Sequence, residues 1–252
     1  MNIAILISGH IRDCFVDNIK QNIIEPLKSE GYTVDIFVST WSLNERRNGG
    51  TMYVADKIST NKESNISNLS PVKIETEQNN RPYFLENYKS VILHQHMSEE
   101  TCGDATSQLY KLYKCKELMV EYSKTNNKQY DIIIRLRSDL VYDNKISLID
   151  IKQCISNDNI YMAEWHKKYQ NVTLEIMDCF FFGNSKVMSL VCDTYLHIPN
   201  YIKDIETPDT TEAFIYSTIN NNKFNISRTD IRYGVVRRTE TGDQYIDQVT
   251  NN

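Results

Sequence analysis

The chain is poor in the residues that write the familiar ligand signatures. Glycine occurs 8 times in 252 residues and proline 5 times. No GxGxxG run is present, and no GK[ST] follows a glycine, which excludes the common dinucleotide fingerprint and the Walker loop. The six cysteines (Cys14, Cys102, Cys115, Cys154, Cys179 and Cys192) contain no CxxC pair, so a zinc site is not expected. We expect free thiols in a reducing compartment. A basic excess is also missing: the net charge is −5, which argues against a nucleic-acid partner. No apolar run approaches the roughly 20 residues of a membrane span. The start, MNIAILISGH, lacks the basic flank and the long apolar stretch of a signal peptide. A cytoplasmic location is the expectation. None of the five histidines has the companions of a Ser–His–Asp or Cys–His set.

What is present is a succession of apolar runs. Asn2–Ser8 (NIAILIS) is almost wholly aliphatic and suits a central strand covered on both faces. Phe15, Ile19, Ile23 and Leu27 then recur at the spacing of a helix face, with Pro26 predicting a kink. Val34–Trp41 (VDIFVSTW) follows as a second strand. Strand, helix and strand in so short a stretch make a βαβ unit and imply a parallel sheet. Residues 42–90 break this rhythm with a polar insertion in which only Val72–Ile74 and Tyr83–Tyr88 promise local structure. Such an insertion is either a binding loop or a solvated excursion. Val91–Leu93 reads as a short third strand. A helix capped at Asp104, Thr106 or Ser107 carries the stripe Leu109, Leu112, Cys115, Met119 and Tyr122. Strands are expected at Asp131–Arg137, Asn159–Ala163, Cys179–Phe182 and Arg232–Arg237, and helices at Ser185–Leu196 and Thr211–Ile219. The expectation is one domain over residues 1–240 and a loose polar tail over 241–252.

The segment Tyr130–Tyr142 (YDIIIRLRSDLVY) carries the most unusual chemistry. With a period of two, Arg135, Arg137 and Asp139 share one face of a buried strand. Buried charges must be paired. The residues therefore form either an Arg–Asp cluster that braces the sheet or a phosphate and metal site at the strand's carboxyl end. Ser8-Gly9-His10-Ile11-Arg12 ends the first strand, where Gly9 permits close backbone approach and Arg12 could meet a diphosphate. Thr40 and Trp41 close the second strand, and Trp41 either stacks on a base or caps the core. Asp178 precedes the aromatic strand and is either a turn residue or faces the reaction centre. Asp209 and Glu212 have capping-box spacing, and Glu212 is alternatively a general base. Glu164 and His166 are weaker candidates, as is the pair His94 and His96.

In order, the motifs ISGHIRD, VDIFVSTW, SQLYKLYKCKEL, YDIIIRLRSDL, DCFFFGNSKVM and TEAFIY make the chain similar to small glycosyltransferases of GT-A type that decorate bacterial surface polysaccharides and occur in large DNA viruses. The likeness runs from residue 3 to about residue 219, with the insertion unmatched. The resemblance implies an α/β fold: one GT-A-like (Rossmann-like) nucleotide-binding domain with a mostly parallel central sheet and helices on both faces. It implies a nucleoside diphosphate sugar such as a UDP- or GDP-sugar as donor and a glycan or other hydroxyl as acceptor. Ser8, Gly9, Arg12, Thr40, Trp41, Arg135, Arg137 and Asp139 would border the donor. Asp139 would be the ligand of Mn²⁺ or Mg²⁺, and Asp178 and Glu212 the acceptor-side or base carboxylates. The chain departs from the family at Arg137, where the first aspartate of the metal-binding pair usually stands. A non-catalytic nucleotide- or glycan-binding module and a phosphotransferase are the alternative expectations.

Overall fold

The structure is a computed structural model that describes residues 1–11, 14–48, 52–57, 66–78, 99–163, 167–169, 172–174, 177–201, 210–238 and 244–248. The aliphatic run at the start forms β1 (Asn2–Ser8), and the next apolar run forms β2 (Thr33–Trp41). Between them lies α1, an α-helical turn Val16–Ile19, a π turn Lys20–Ile24 and a second α-helical piece Glu25–Ser29. Pro26 explains the mixture. Proline cannot supply the N–H that an uninterrupted helix needs, and the π turn immediately before it moves Pro26 into the first turn of a new helical piece.

The polar insertion is more structured than its composition suggests. It contains a hairpin, β3 (Leu43–Asn48) and β4 (Met52–Lys57), and then β5 (Lys73–Glu77). β5 adds in parallel to β2, with Phe37 beside Lys73 and Trp41 beside Glu77. It overlaps Val72–Ile74, one of the two stretches expected to hold local structure; the other, Tyr83–Tyr88, and the expected strand Val91–Leu93 lie outside the described residues. The long helix α2 (Glu99–Thr125) begins before Asp104, so Asp104, Thr106 and Ser107 lie within the helix and do not cap it. Its stripe of Leu109, Leu112, Cys115 and Met119 is buried, as the spacing predicts.

The remaining elements are β6 (Ile132–Leu136), β7 (Leu140–Tyr142), α3 (Leu148–Cys154), β8 (Asn159–Ala163), β9 (Lys167–Tyr169), β10 (Val172–Leu174), β11 (Phe180–Asn184), α4 (Ser185–Cys192), α5 (Thr194–Tyr201), α6 (Thr211–Asn221), β12 (Asn225–Thr229), β13 (Tyr233–Arg238) and β14 (Gln244–Gln248). The expected loose tail therefore contains a strand, β14, paired antiparallel to β13.

Seven strands form the central sheet in the order β12-β8-β11-β6-β1-β2-β5. The pairings β1–β2, β1–β6, β2–β5 and β8–β12 are parallel, and β11 runs antiparallel to both β6 and β8. The sheet is mostly parallel and covered on both faces. Ile3, Ile5 and Ile7 of β1 pack with Ile19, Ile23 and Leu27 of α1 and Ile151 of α3. Ala4 and Leu6 point the other way, into a second core with Leu109, Leu112, Val187 and Phe214 of α2, α4 and α6. This double burial explains why β1 shows no polar alternation. The edge strand β5 is tied to α2 by a buried ion pair. Lys111, with a side chain 0% exposed, reaches Glu77 at 2.7 Å. Burial pushes the Lys111 ammonium below its ordinary pKa, and Glu77 opposes that shift.

β11 fits between its neighbours because of Gly183. A Cβ at that position would lie 3.1 Å from the backbone oxygen of Asn159 and 3.4 Å from Cγ of Met188. The neighbour that must move is the backbone of β8, which its own ladder holds. Gly183→Ala is expected to destabilise the protein by about 1–3 kcal/mol, read from the shift of the urea unfolding midpoint.

Candidate functional site

Three parallel strands end side by side. Ser8 of β1 is level with Ser39 of β2, and Ile7 is level with Leu136 of β6. Gly9-His10, Thr40-Trp41 and Arg137-Ser138-Asp139 therefore share one rim at the carboxyl ends of the strands. In open α/β sheets that rim is where ligands bind. Ser138 joins two of the three ends, with its hydroxyl 3.4 Å from the His10 carbonyl.

Gly9 takes φ +101°, a conformation that residues with a side chain rarely adopt, and its N–H donates to the Ser39 carbonyl at 3.1 Å. Among the described residues, its chain neighbours aside, no atom lies within 4 Å of where a Cβ would stand. Ser8 beside it is buried, and its hydroxyl has no hydrogen-bond partner among the described residues. Thr40 is buried as well, with its hydroxyl 3.4 Å from the Trp41 carbonyl. Trp41 belongs to the core. It is 2% exposed, Tyr110 stacks on it with ring centroids 5.8 Å apart, and the Lys111 ammonium lies 4.2 Å from its ring centre. Of the two roles open to Trp41, the geometry favours the core cap over the base platform.

The Arg–Asp group is more tightly built than the alternation predicted. β6 stops at Leu136, and Arg137–Asp139 form a turn that leads to β7 in a different sheet. The three residues do not share a strand face. Arg135 alone remains in the strand, on the side of Ile133, and donates through Nη1 to the Cys179 carbonyl at 2.8 Å. Arg137 forks onto Asp139: Nε lies 2.9 Å from Oδ1 and Nη2 lies 2.6 Å from Oδ2. Its Nη1 reaches the Cys179 sulfur at 3.4 Å. Asp178, just before β11, accepts from the Gln108 carboxamide of α2 and from the Cys179 thiol at 3.2 Å.

The electrostatics follow from this geometry. Burial alone would push the Asp178 carboxyl up. The Arg137 and Arg135 guanidiniums outweigh it, the Gln108 and Cys179 hydrogen bonds add to them, and together they hold Asp178 below the usual carboxylate range. Burial likewise works against the Arg137 charge, yet Asp139 and Asp178 outweigh it and raise its pKa above the ordinary value. Burial pulls Arg135 below its ordinary value despite Asp178, although a guanidinium so displaced stays cationic. Asp139 in turn acts on its neighbour Cys14, whose thiol burial and that charge push up to about 12.

Glu212 lies in the first turn of α6. The cap of that helix is Thr210, whose hydroxyl accepts from Ala213 N–H at 3.2 Å, so the expected capping box is not what starts it. Arg12, His94, His96, Glu164, His166 and Asp209 lie outside the described residues. Sequence reasoning missed two members of the cluster. Gln108 was visible only as part of the Ser-Gln helix motif. Cys179 was read as one more free thiol; it is free, but it bridges Arg137 and Asp178.

No protein-family model and no curated protein matches this chain. The divalent cation that the GT-A resemblance implies can be tested against the residues themselves. Mg²⁺ or Mn²⁺ needs a carboxylate that the ion can reach, and the Asp139 side chain is only 2% exposed. Each oxygen of Asp139 already takes an N–H from Arg137. Among the described residues no group of three or more His, Cys, Asp or Glu gathers to hold a metal. A cation on Asp139 would also stand beside the Arg137 guanidinium. These residues do not fit a resident metal.

The lowered pKa of Asp178 gives a signed pH prediction. Its ionised form contributes stability above the unfolded carboxylate value of about 3.9, and that contribution is lost as pH falls through the lower folded value. Asp178→Asn is expected to cost about 1–3 kcal/mol at neutral pH, the cost of disturbing a buried hydrogen-bonded charge. In urea titrations run between neutral and strongly acid pH, the gap from the wild type should shrink once the medium falls below about pH 4.

Proposed function

We propose that this protein is a glycosyltransferase that moves a sugar from a nucleoside diphosphate sugar to a hydroxyl acceptor. The observation that carries the reading is the shared rim of β1, β2 and β6, with a Ser8 hydroxyl that has no partner among the described residues and, its chain neighbours aside, none of their atoms within 4 Å of a Cβ at Gly9. A buried hydroxyl without a partner is costly unless a ligand supplies one. Ser8, Gly9 and Thr40 then border the nucleotide, and Arg137 faces the diphosphate. Breaking the bond between sugar and phosphate develops negative charge on the leaving diphosphate, and a preorganised guanidinium stabilises it. The mostly parallel sheet with helices on both faces agrees with the GT-A-type resemblance.

The two candidate carboxylates divide by environment. A general base works best with a pKa near the operating pH. Asp178 is kept ionised by the field of two arginines and by hydrogen bonds from Gln108 and Cys179, so it suits positioning of the cationic group. The acceptor-side base in this reading is Glu212. A second reading, a binding module on the same fold without turnover, draws on the internal pairing of Asp139 with Arg137.

A screen of UDP-, GDP- and dTDP-sugars for donor hydrolysis without acceptor separates the two, because a pure binder releases no sugar. The rim has its own test. Ser8→Ala is expected to weaken nucleotide binding by about tenfold, the loss of one ligand hydrogen bond, and to leave the melting temperature unchanged or slightly higher. A large fall in melting temperature with unaltered nucleotide affinity would show that Ser8 serves the fold alone.

A further inference from the structure

The fork between Arg137 and Asp139 bears on how the diphosphate is neutralised, and the inference rests on the glycosyltransferase reading above. Arg137 is the more accessible partner: its side chain is 17% exposed and that of Asp139 is 2% exposed. An anion arriving at the rim meets the guanidinium before the carboxylate. A guanidinium has five N–H donors. Three are engaged here, two with Asp139 and one with the Cys179 sulfur, which leaves two for a ligand. Arg137 can therefore take phosphate oxygens without releasing Asp139. The second carboxylate nearby, Asp178, has Arg135 as a further counter-charge and Gln108 as a donor, so it does not depend on Arg137 alone.

We propose that Arg137 takes the place of the divalent cation, that Asp139 is a positioning residue that locks the guanidinium, and that nucleoside diphosphate binding is metal-independent. The fork supplies the geometry. Two parallel N–H···O bonds fix the plane of the guanidinium, as bidentate arginine–carboxylate pairs do, and aim its remaining edge. A resident metal would have to reach a carboxylate that is 2% exposed and sit beside the arginine's charge.

The test is calorimetric titration of UDP and of GDP into the full chain, once in EDTA and once in Mn²⁺. For the wild type the dissociation constants should agree within about threefold between the two conditions. Arg137→Ala should weaken binding by about tenfold or more in EDTA, as expected for loss of a charge-assisted contact, and Mn²⁺ should restore part of it through the newly opened Asp139 oxygens. Arg137→Lys keeps the charge but not the fork and should fall between the two. Circular dichroism checks that each variant is folded, and the wild-type comparison decides the question even if a variant is not. Wild-type binding that is about tenfold or more tighter in Mn²⁺ than in EDTA overturns metal independence and leaves the glycosyltransferase reading standing. Failure of the wild type to bind either nucleotide in both conditions overturns that reading and this inference together.

Discussion

Three ionised side chains, Arg135, Asp139 and Asp178, are buried at one end of β6, and a fourth, Arg137, is only 17% exposed. Isolated burial of any one of them costs several kcal/mol. Their coexistence is what the surrounding architecture must permit. Asp139 has the Arg137 fork, Asp178 has Gln108 and the Cys179 thiol, and each arginine gives one further N–H to Cys179. The turn after Leu136, the antiparallel entry of β11 and the reach of Gln108 from α2 all converge on this balance.

Much of the fold was legible because double burial leaves a plain mark. NIAILIS and IIIRL are apolar on both faces, and β1 and β6 are covered on both faces. The stripe of α2 was legible for the complementary reason, since one face of that helix is buried and the other wet. The misreadings also have physical causes. Local structure is expected at Val72–Ile74 but not as far as Glu77, because KIETE carries three charges; it is an edge strand whose glutamates are held by Lys111 and Lys114. Propensity undervalues a strand that charge pairing supports from the neighbouring helix. β14 was hidden in the same way, because its partner β13 precedes it by a polar link and gives no apolar signal of a hairpin.

The site was legible in its members more than in its shape. Asp139, Arg137, Arg135 and Asp178 do act on one another, as the residue types suggested. The assumed strand alternation failed because the chain leaves the sheet at Leu136 to supply β7 to the small sheet with β13 and β14. Trp41 shows the opposite limit. An aromatic residue at a strand end has the same sequence signature whether it faces a ligand or a neighbouring tyrosine, and only its packing against Tyr110 and Lys111 tells the two apart.

The antiparallel course of β11 has a consequence for synthesis. Its neighbours β6 and β8 are both made earlier in the chain, and β11 must slot between them. Until Phe180–Asn184 leaves the ribosome, those two strands cannot join and each presents a bare backbone edge. Edges of that kind recruit other chains. The nascent protein is therefore most exposed to misassociation over a short window, which the three consecutive phenylalanines of β11 close in one step.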